Sequence, residues 1–130
     1  MDLQLKGHTA LVTGGSRGIG FGVAQALAAE DCNLHLASRN AADLETARSK
    51  ITAAHPVKVT CHALDLGLAE NADRLARECG EIDILINNAG AIPQGGITDF
   101  DDQTWRAGWE LKMFGYINLT REVYRWMCER

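Results

Sequence analysis

The sequence has no surplus of basic charge, no long apolar run and no paired cysteines, and each absence removes a class of function. Thirteen Lys and Arg against 17 Asp and Glu leave a formal net charge of −4 and a pI near 5.5. No broad positive surface is available to nucleic acid, and any phosphate must be gripped locally. No apolar stretch reaches the roughly 18 residues that span a bilayer, and Met1 to Gly7 lacks the apolar segment of a secretory signal. A soluble, cytoplasmic protein with no membrane partner is expected. Cys32, Cys61, Cys79 and Cys128 are scattered without a C-x-x-C pair or zinc-like spacing. They read as reduced, mostly buried thiols, and no metal site is expected. Cys61 and His62 are adjacent, but consecutive residues on a strand face opposite ways, which argues against a nucleophile and its base.

What is present is alternation. With 130 residues, 46% of them hydrophobic, the chain suits one domain over 1–130 and has no linker or internal repeat. Short apolar runs at 8–13, 33–38, 57–62 and 82–86 read as strands. Between them, 19–30, 41–54 and 68–79 carry helical periodicity, with Asp43 early in the second helix, Pro56 after it and Gly80 closing the third. A long helix is expected from about residue 101 to the end. Strands alternating with helices imply right-handed βαβ units, hence an α/β fold: a Rossmann-like parallel sheet of about four strands with helices on both faces.

The first strand runs into Thr13-Gly14-Gly15-Ser16-Arg17-Gly18-Ile19-Gly20. Glycines at a strand-to-helix turn permit positive φ, let the backbone approach a pyrophosphate and let the helix pack closely on the strand. The free N–H groups of the helix start then favour an anion. The spacing Thr13-Gly14-x-x-x-Gly18-x-Gly20 resembles that of the short-chain dehydrogenase/reductase family, classical type. Asp65-Leu66 after the third strand is similar to that family's adenine-binding acid, and Asn87-Asn88-Ala89-Gly90 after the fourth resembles the signature that supports the sheet and lines the cofactor ribose. The resemblance covers the chain as the N-terminal part of such an enzyme. It implies hydride transfer between a nicotinamide cofactor and a small alcohol or carbonyl substrate.

Cofactor preference turns on a missing acid. Sites for NAD usually place a carboxylate after the second strand, about 20 residues past the glycines, to hold the ribose 2′-OH. Here that place reads Ser38-Arg39-Asn40. A guanidinium suits a 2′-phosphate, so Arg39, aided by Ser38 and by Arg17 in the glycine turn, makes NADP(H) the expected cofactor over NAD(H).

The resemblance also implies a catalytic tyrosine with a lysine four residues later, a serine, and an asparagine in the fourth helix. The only tyrosines, Tyr116 and Tyr124, are followed at that distance by Thr120 and Cys128, and both read as packing residues. The family's Asn-Leu-x-Gly pattern aligns so that Lys112 stands at the asparagine. It reads equally as an occupant of the proton relay and as a snorkelling surface lysine. The expected fold is therefore a half truncated after the fourth helix, and the alternative to an enzyme is a non-catalytic dinucleotide-binding or oligomerisation fragment. That helix carries Trp105, Trp109, Met113, Phe114, Ile117 and Trp126 around much of its circumference. With the fourth strand left as an edge, a homo-oligomer is expected.

Overall fold

The computed structural model describes residues 1–130. Four short strands, β1 (Thr9–Thr13), β2 (Asn33–Ser38), β3 (Val59–Ala63) and β4 (Ile84–Ile86), form one parallel sheet in the order β3-β2-β1-β4. Helices α1 (Gly18–Ala29), α2 (Ala41–Ala54) and α3 (Ala69–Cys79) make the crossovers. The chain crosses from β3, at one edge, past β2 and β1 to β4. That reversal of strand order opens a crevice beyond the carboxyl ends of β1 and β4.

Strand alternation sorts side chains into two cores. Ala10 and Val12 of β1 with Leu34 and Leu36 of β2 pack on Ala24, Ala28, Leu44 and Ile51 of α1 and α2. Leu11 and Ala37 face the other way, onto Leu75 and Ala76 of α3 and onto Leu119 and Val123 near the C-terminus. Cys61 and His62 separate as expected: the Cys61 thiol donates to Leu44 O at 3.5 Å, whereas His62 meets Glu78 and Cys79 on the opposite face. All four cysteines are free, but only Cys32 and Cys79 are buried. Cys61 is half-buried and Cys128 exposed.

Two expected boundaries contract. β3 begins at Val59 rather than 57, where Lys58 N donates to the Asn33 side chain instead (3.0 Å), and β4 at Ile84 rather than 82, where Asp83 donates its N–H to Thr9 O (2.8 Å) and accepts from Thr9 N through its carboxylate (2.9 Å). The expected final helix is in three pieces: α4 (Asp102–Trp109), a π-helical turn (Glu110–Phe114) and α5 (Gly115–Cys128). Along these pieces Trp109, Met113, Phe114 and Ile117 are exposed while Leu119 and Val123 are buried, and the wider turn shifts the helical phase of α5 relative to α4.

Asn40 starts α2. Its Oδ1 accepts from Asp43 N at 3.0 Å, which occupies one of the N–H groups a helix start leaves open. Asn40→Ala should cost about 1 kcal/mol in urea unfolding, and the cap role predicts little change in nucleotide binding.

Candidate functional site

A cavity of about 230 Å³ lies at the carboxyl ends of the strands. Gly14, Ser16 and Arg17 from the glycine turn form one wall, and Ser38, the last residue of β2, and Arg39 form the second. Leu64 and Leu66 after β3, then Asn88, Ala89 and Gly90 after β4, complete it.

Thr13 ties these loops together. It is 1% exposed. Its hydroxyl accepts from the backbone N–H groups of Asn88 (2.9 Å) and Ala89 (3.0 Å) and donates to Ile86 O (3.3 Å). Gly14 N donates to Ala37 O at 2.8 Å, and the Asn88 side-chain amide donates to Gly14 O at 3.3 Å. Gly14 takes φ +63°, a conformation that favours glycine. No side chain caps α1, so the first N–H groups of that helix keep their capacity for an anion.

The two arginines differ in their surroundings. Arg17 has its Nε 3.6 Å from the Asp43 carboxylate. An acid is therefore at hand after all: capping by Asn40 sets Asp43 in the first turn of α2, beside the glycine turn, where sequence distance had hidden it. Both side chains reach solvent, so the pair is weak, but it offsets part of the Arg17 charge. Arg39, exposed on the cavity wall, takes part in none of the chain's ion pairs. Between the arginines, Ser16 and Ser38 join hydroxyls at 3.2 Å.

Several expected site residues stand off the cavity wall. Gly18 and Ile19 begin α1, with the Ile19 side chain in solvent, and Gly20 is buried against the glycine turn. Asn40 is committed to its cap. Asp65 closes its own turn, its Oδ1 accepting from Gly67 N at 2.8 Å and its carbonyl from the Asn71 side chain at 2.8 Å. Asn87 points to α5, donating to Thr120 Oγ1 at 2.9 Å, while its buried Oδ1 has no partner.

Three wall residues escaped the sequence reading: Ala37, Leu64 and Leu111. Ala37 and Leu64 follow from strand alternation once the register is known. Leu111 reaches the cavity through the π-helical turn, for which the sequence carries no marker.

Lys112 lies in that same turn. Its Nζ donates to the Tyr116 hydroxyl at 2.9 Å, and its side chain passes over Gly90, whose Cβ position is 3.4 Å from Lys112 Cδ. On its other side is an apolar cavity of about 340 Å³ lined by Ile92, Pro93, Trp105, Trp109 and Met113. The lysine thus separates the two cavities, half-buried and partnered rather than extended into water. Tyr116, expected only to pack, is thus a hydrogen-bond partner as well, which its position four residues after Lys112 could have signalled.

Comparison with known proteins agrees with this architecture. The short chain dehydrogenase family matches residues 8–130. The 2,3-dihydro-2,3-dihydroxybenzoate dehydrogenase of Bacillus subtilis is 33% identical over 132 residues, covering 97% of this chain and 49% of that protein. The D-beta-hydroxybutyrate dehydrogenase of Cupriavidus necator is 34% identical over 91% of this chain and 47% of its own length. The crystal structure of L-sorbose reductase from Gluconobacter frateurii, complexed with NADPH and L-sorbose, superposes with a TM-score of 0.93 at 30% identity, covering all of this chain and 51% of that one. The chain spans about half the length of the curated relatives it matches. No helix is long and apolar enough to cross a membrane.

Proposed function

Because the chain belongs to the short-chain dehydrogenase family, we propose that it carries the dinucleotide-binding half of an NADP(H)-dependent oxidoreductase. A bound nicotinamide would supply hydride exchange with a small alcohol or carbonyl substrate; the residues of this chain would bind and orient it. Gly14, Ser16, Gly18, Ile19 and Gly20 present backbone to the pyrophosphate at the start of α1. Asp65 and Leu66 border the adenine, while Asn88, Ala89 and Gly90 line a ribose, with Asn87 bracing their loop against α5. Lys112 lies where the family resemblance sets the relay asparagine, with Tyr116 holding its ammonium beside Gly90.

The observation that carries the NADP(H) assignment is Arg39, a guanidinium on the cavity wall without an acid partner, beside the Ser16–Ser38 hydroxyl pair. A 2′-phosphate there accepts two charge-assisted hydrogen bonds, whereas the 2′-hydroxyl of NAD leaves the cation unanswered. Fluorescence titration should show NADPH binding more tightly than NADH. Arg39→Asp should weaken NADPH about 10- to 100-fold and leave NADH within a few-fold, since each charge-assisted bond contributes about 1.5–3 kcal/mol before solvent screening. Equal affinity of the unaltered protein for the two cofactors overturns the assignment.

We further propose a cytoplasmic homo-oligomer. Its support is the exposed apolar surface of the helices after residue 101 together with the three-residue edge strand β4. A monomer in sizing chromatography at micromolar concentration counts against it.

A further inference from the structure

On the sheet face away from α1 and α2, His35, His62 and Cys79 bring three donor atoms within 4.8 Å of one another. We propose that they form a binding site for a thiophilic divalent metal ion of the Zn²⁺ class, separate from the nucleotide cavity.

Assembly follows from the register. Ala37 pairs with His62 across the parallel strands β2 and β3, so residue 35, two positions back on β2, shares the His62 face. The last residue of α3, Cys79, closes over both rings. His62 is 7% exposed and Cys79 8%, so the site is largely dry.

His62 Nε2 has the orientation that ligation requires. Glu78 Oε2 is 3.1 Å from His62 Nδ1, and Arg74 holds the other carboxylate oxygen at 2.7 Å. A carboxylate on Nδ1 places the proton there and aims the Nε2 lone pair inward, the arrangement that orients metal-binding histidines. Nε2 meets His35 Nδ1 at 2.8 Å and Cys79 Sγ at 3.7 Å. Around a tetrahedral Zn²⁺, with Zn–N about 2.0–2.1 Å and Zn–S about 2.3 Å, neighbouring ligands lie about 3.3 Å apart for N and N and about 3.6 Å for N and S. The His62–Cys79 spacing already matches, and the two rings must part by about 0.5 Å.

Without an ion, the proton on His35 Nδ1 bridges the rings as an ordinary hydrogen bond. With one, the metal takes that position. The Cys79 S–H bond breaks and a metal–sulfur bond forms, the His35 proton moves through solvent from Nδ1 to Nε2 and frees the Nδ1 lone pair, and one proton net leaves to solvent; no electron is transferred. A thiolate beside two imidazoles is a soft donor set, which favours Zn²⁺ and Co²⁺ over Mg²⁺ or Ca²⁺. His35 is half-buried, so the cluster meets solvent on that side. His35, His62 and Cys79 all lie off the cavity wall, although Ala37, which pairs with His62, belongs to it. Ion and nucleotide therefore use different ligands. The ion would pin the edge strand β3 to α3.

The test is Co²⁺ titration of chelator-stripped protein, read by the visible bands of tetrahedral cobalt and the thiolate charge-transfer band. One equivalent should bind, equally with and without NADPH. Cys79→Ser should lose the charge-transfer band, while Cys128→Ser keeps it. Glu78→Gln, on a surface side chain that need not disturb folding, should weaken binding about 10-fold or more. Absence of tetrahedral bands in the unaltered protein overturns the site, as does a charge-transfer band that survives Cys79→Ser or binding that Glu78→Gln leaves unchanged.

Discussion

Gly20→Ala should be the most damaging single-methyl change in this chain. A Cβ at Gly20 overlaps Gly14 O and the Asn88 side-chain amide, and lies 2.8 Å from the Gly14 carbonyl carbon. Neither neighbour can yield cheaply. Gly14 is fixed by its bond to Ala37 O and backed by Ala89, whose Cα is 3.0 Å from where a Gly14 Cβ would sit, while Asn88 spends its amide on Gly14 O. The strain therefore passes to α1, whose Ala24 and Ala28 are fully buried against the sheet. Overpacking of this kind costs about 1–3 kcal/mol and more when backbone must move. Loss of the Asn88–Gly14 bond adds about 1 kcal/mol. A total near 4 kcal/mol is expected in urea unfolding, with dinucleotide binding lost because the displaced turn is its phosphate wall. Gly22→Ala is the control: nothing lies within 4 Å of its Cβ position, so a helix-favouring methyl there should stabilise by up to about 1 kcal/mol. Equal unfolding midpoints for the two variants contradict the packing argument.

The same turn shows what a linear sequence can and cannot disclose. Thr13-Gly14-x-x-x-Gly18-x-Gly20 was legible because strand, turn and helix are consecutive, and their periodicity marks each. All four strands and the three crossover helices were legible for the same reason, and nine of the expected binding residues line the cavity. The arrangement around Arg17 was not legible, since the nearness of Asp43 depends on how α2 is capped and tilted. Nor was the π-helical turn: Glu110 to Phe114 has ordinary helical composition, and nothing in it marks a wider turn. The His35, His62 and Cys79 cluster lay beyond sequence reading for a third reason. Its ligands come from two strands and a helix, with no short spacing between them, and only the parallel register of β2 and β3 joins them.

Thr13→Val should separate the cavity's rear loop from β1. The substitution conserves shape and leaves the apolar contacts intact, so its effect isolates one oxygen. That oxygen accepts two backbone N–H groups, those of Asn88 and Ala89, and stands 1% exposed. Valine removes the acceptor and strands both donors where water reaches them only in part. An unsatisfied buried donor costs about 1–3 kcal/mol, so about 3 kcal/mol is expected for the pair after partial solvation. The loss should be local as well as global. Amide exchange at Asn88 and Ala89 should accelerate more than exchange within β1 and β2, because those strands keep their own ladder. NADPH affinity should fall with it, as Asn88, Ala89 and Gly90 form one wall of the cavity. Thr13→Ser supplies the rescue. It restores the oxygen and forfeits only a methyl group, a cost of about 1 kcal/mol. If serine proves as damaging as valine, the methyl group rather than the hydroxyl holds β1 to the loop, and the hydrogen-bonding account of this wall fails.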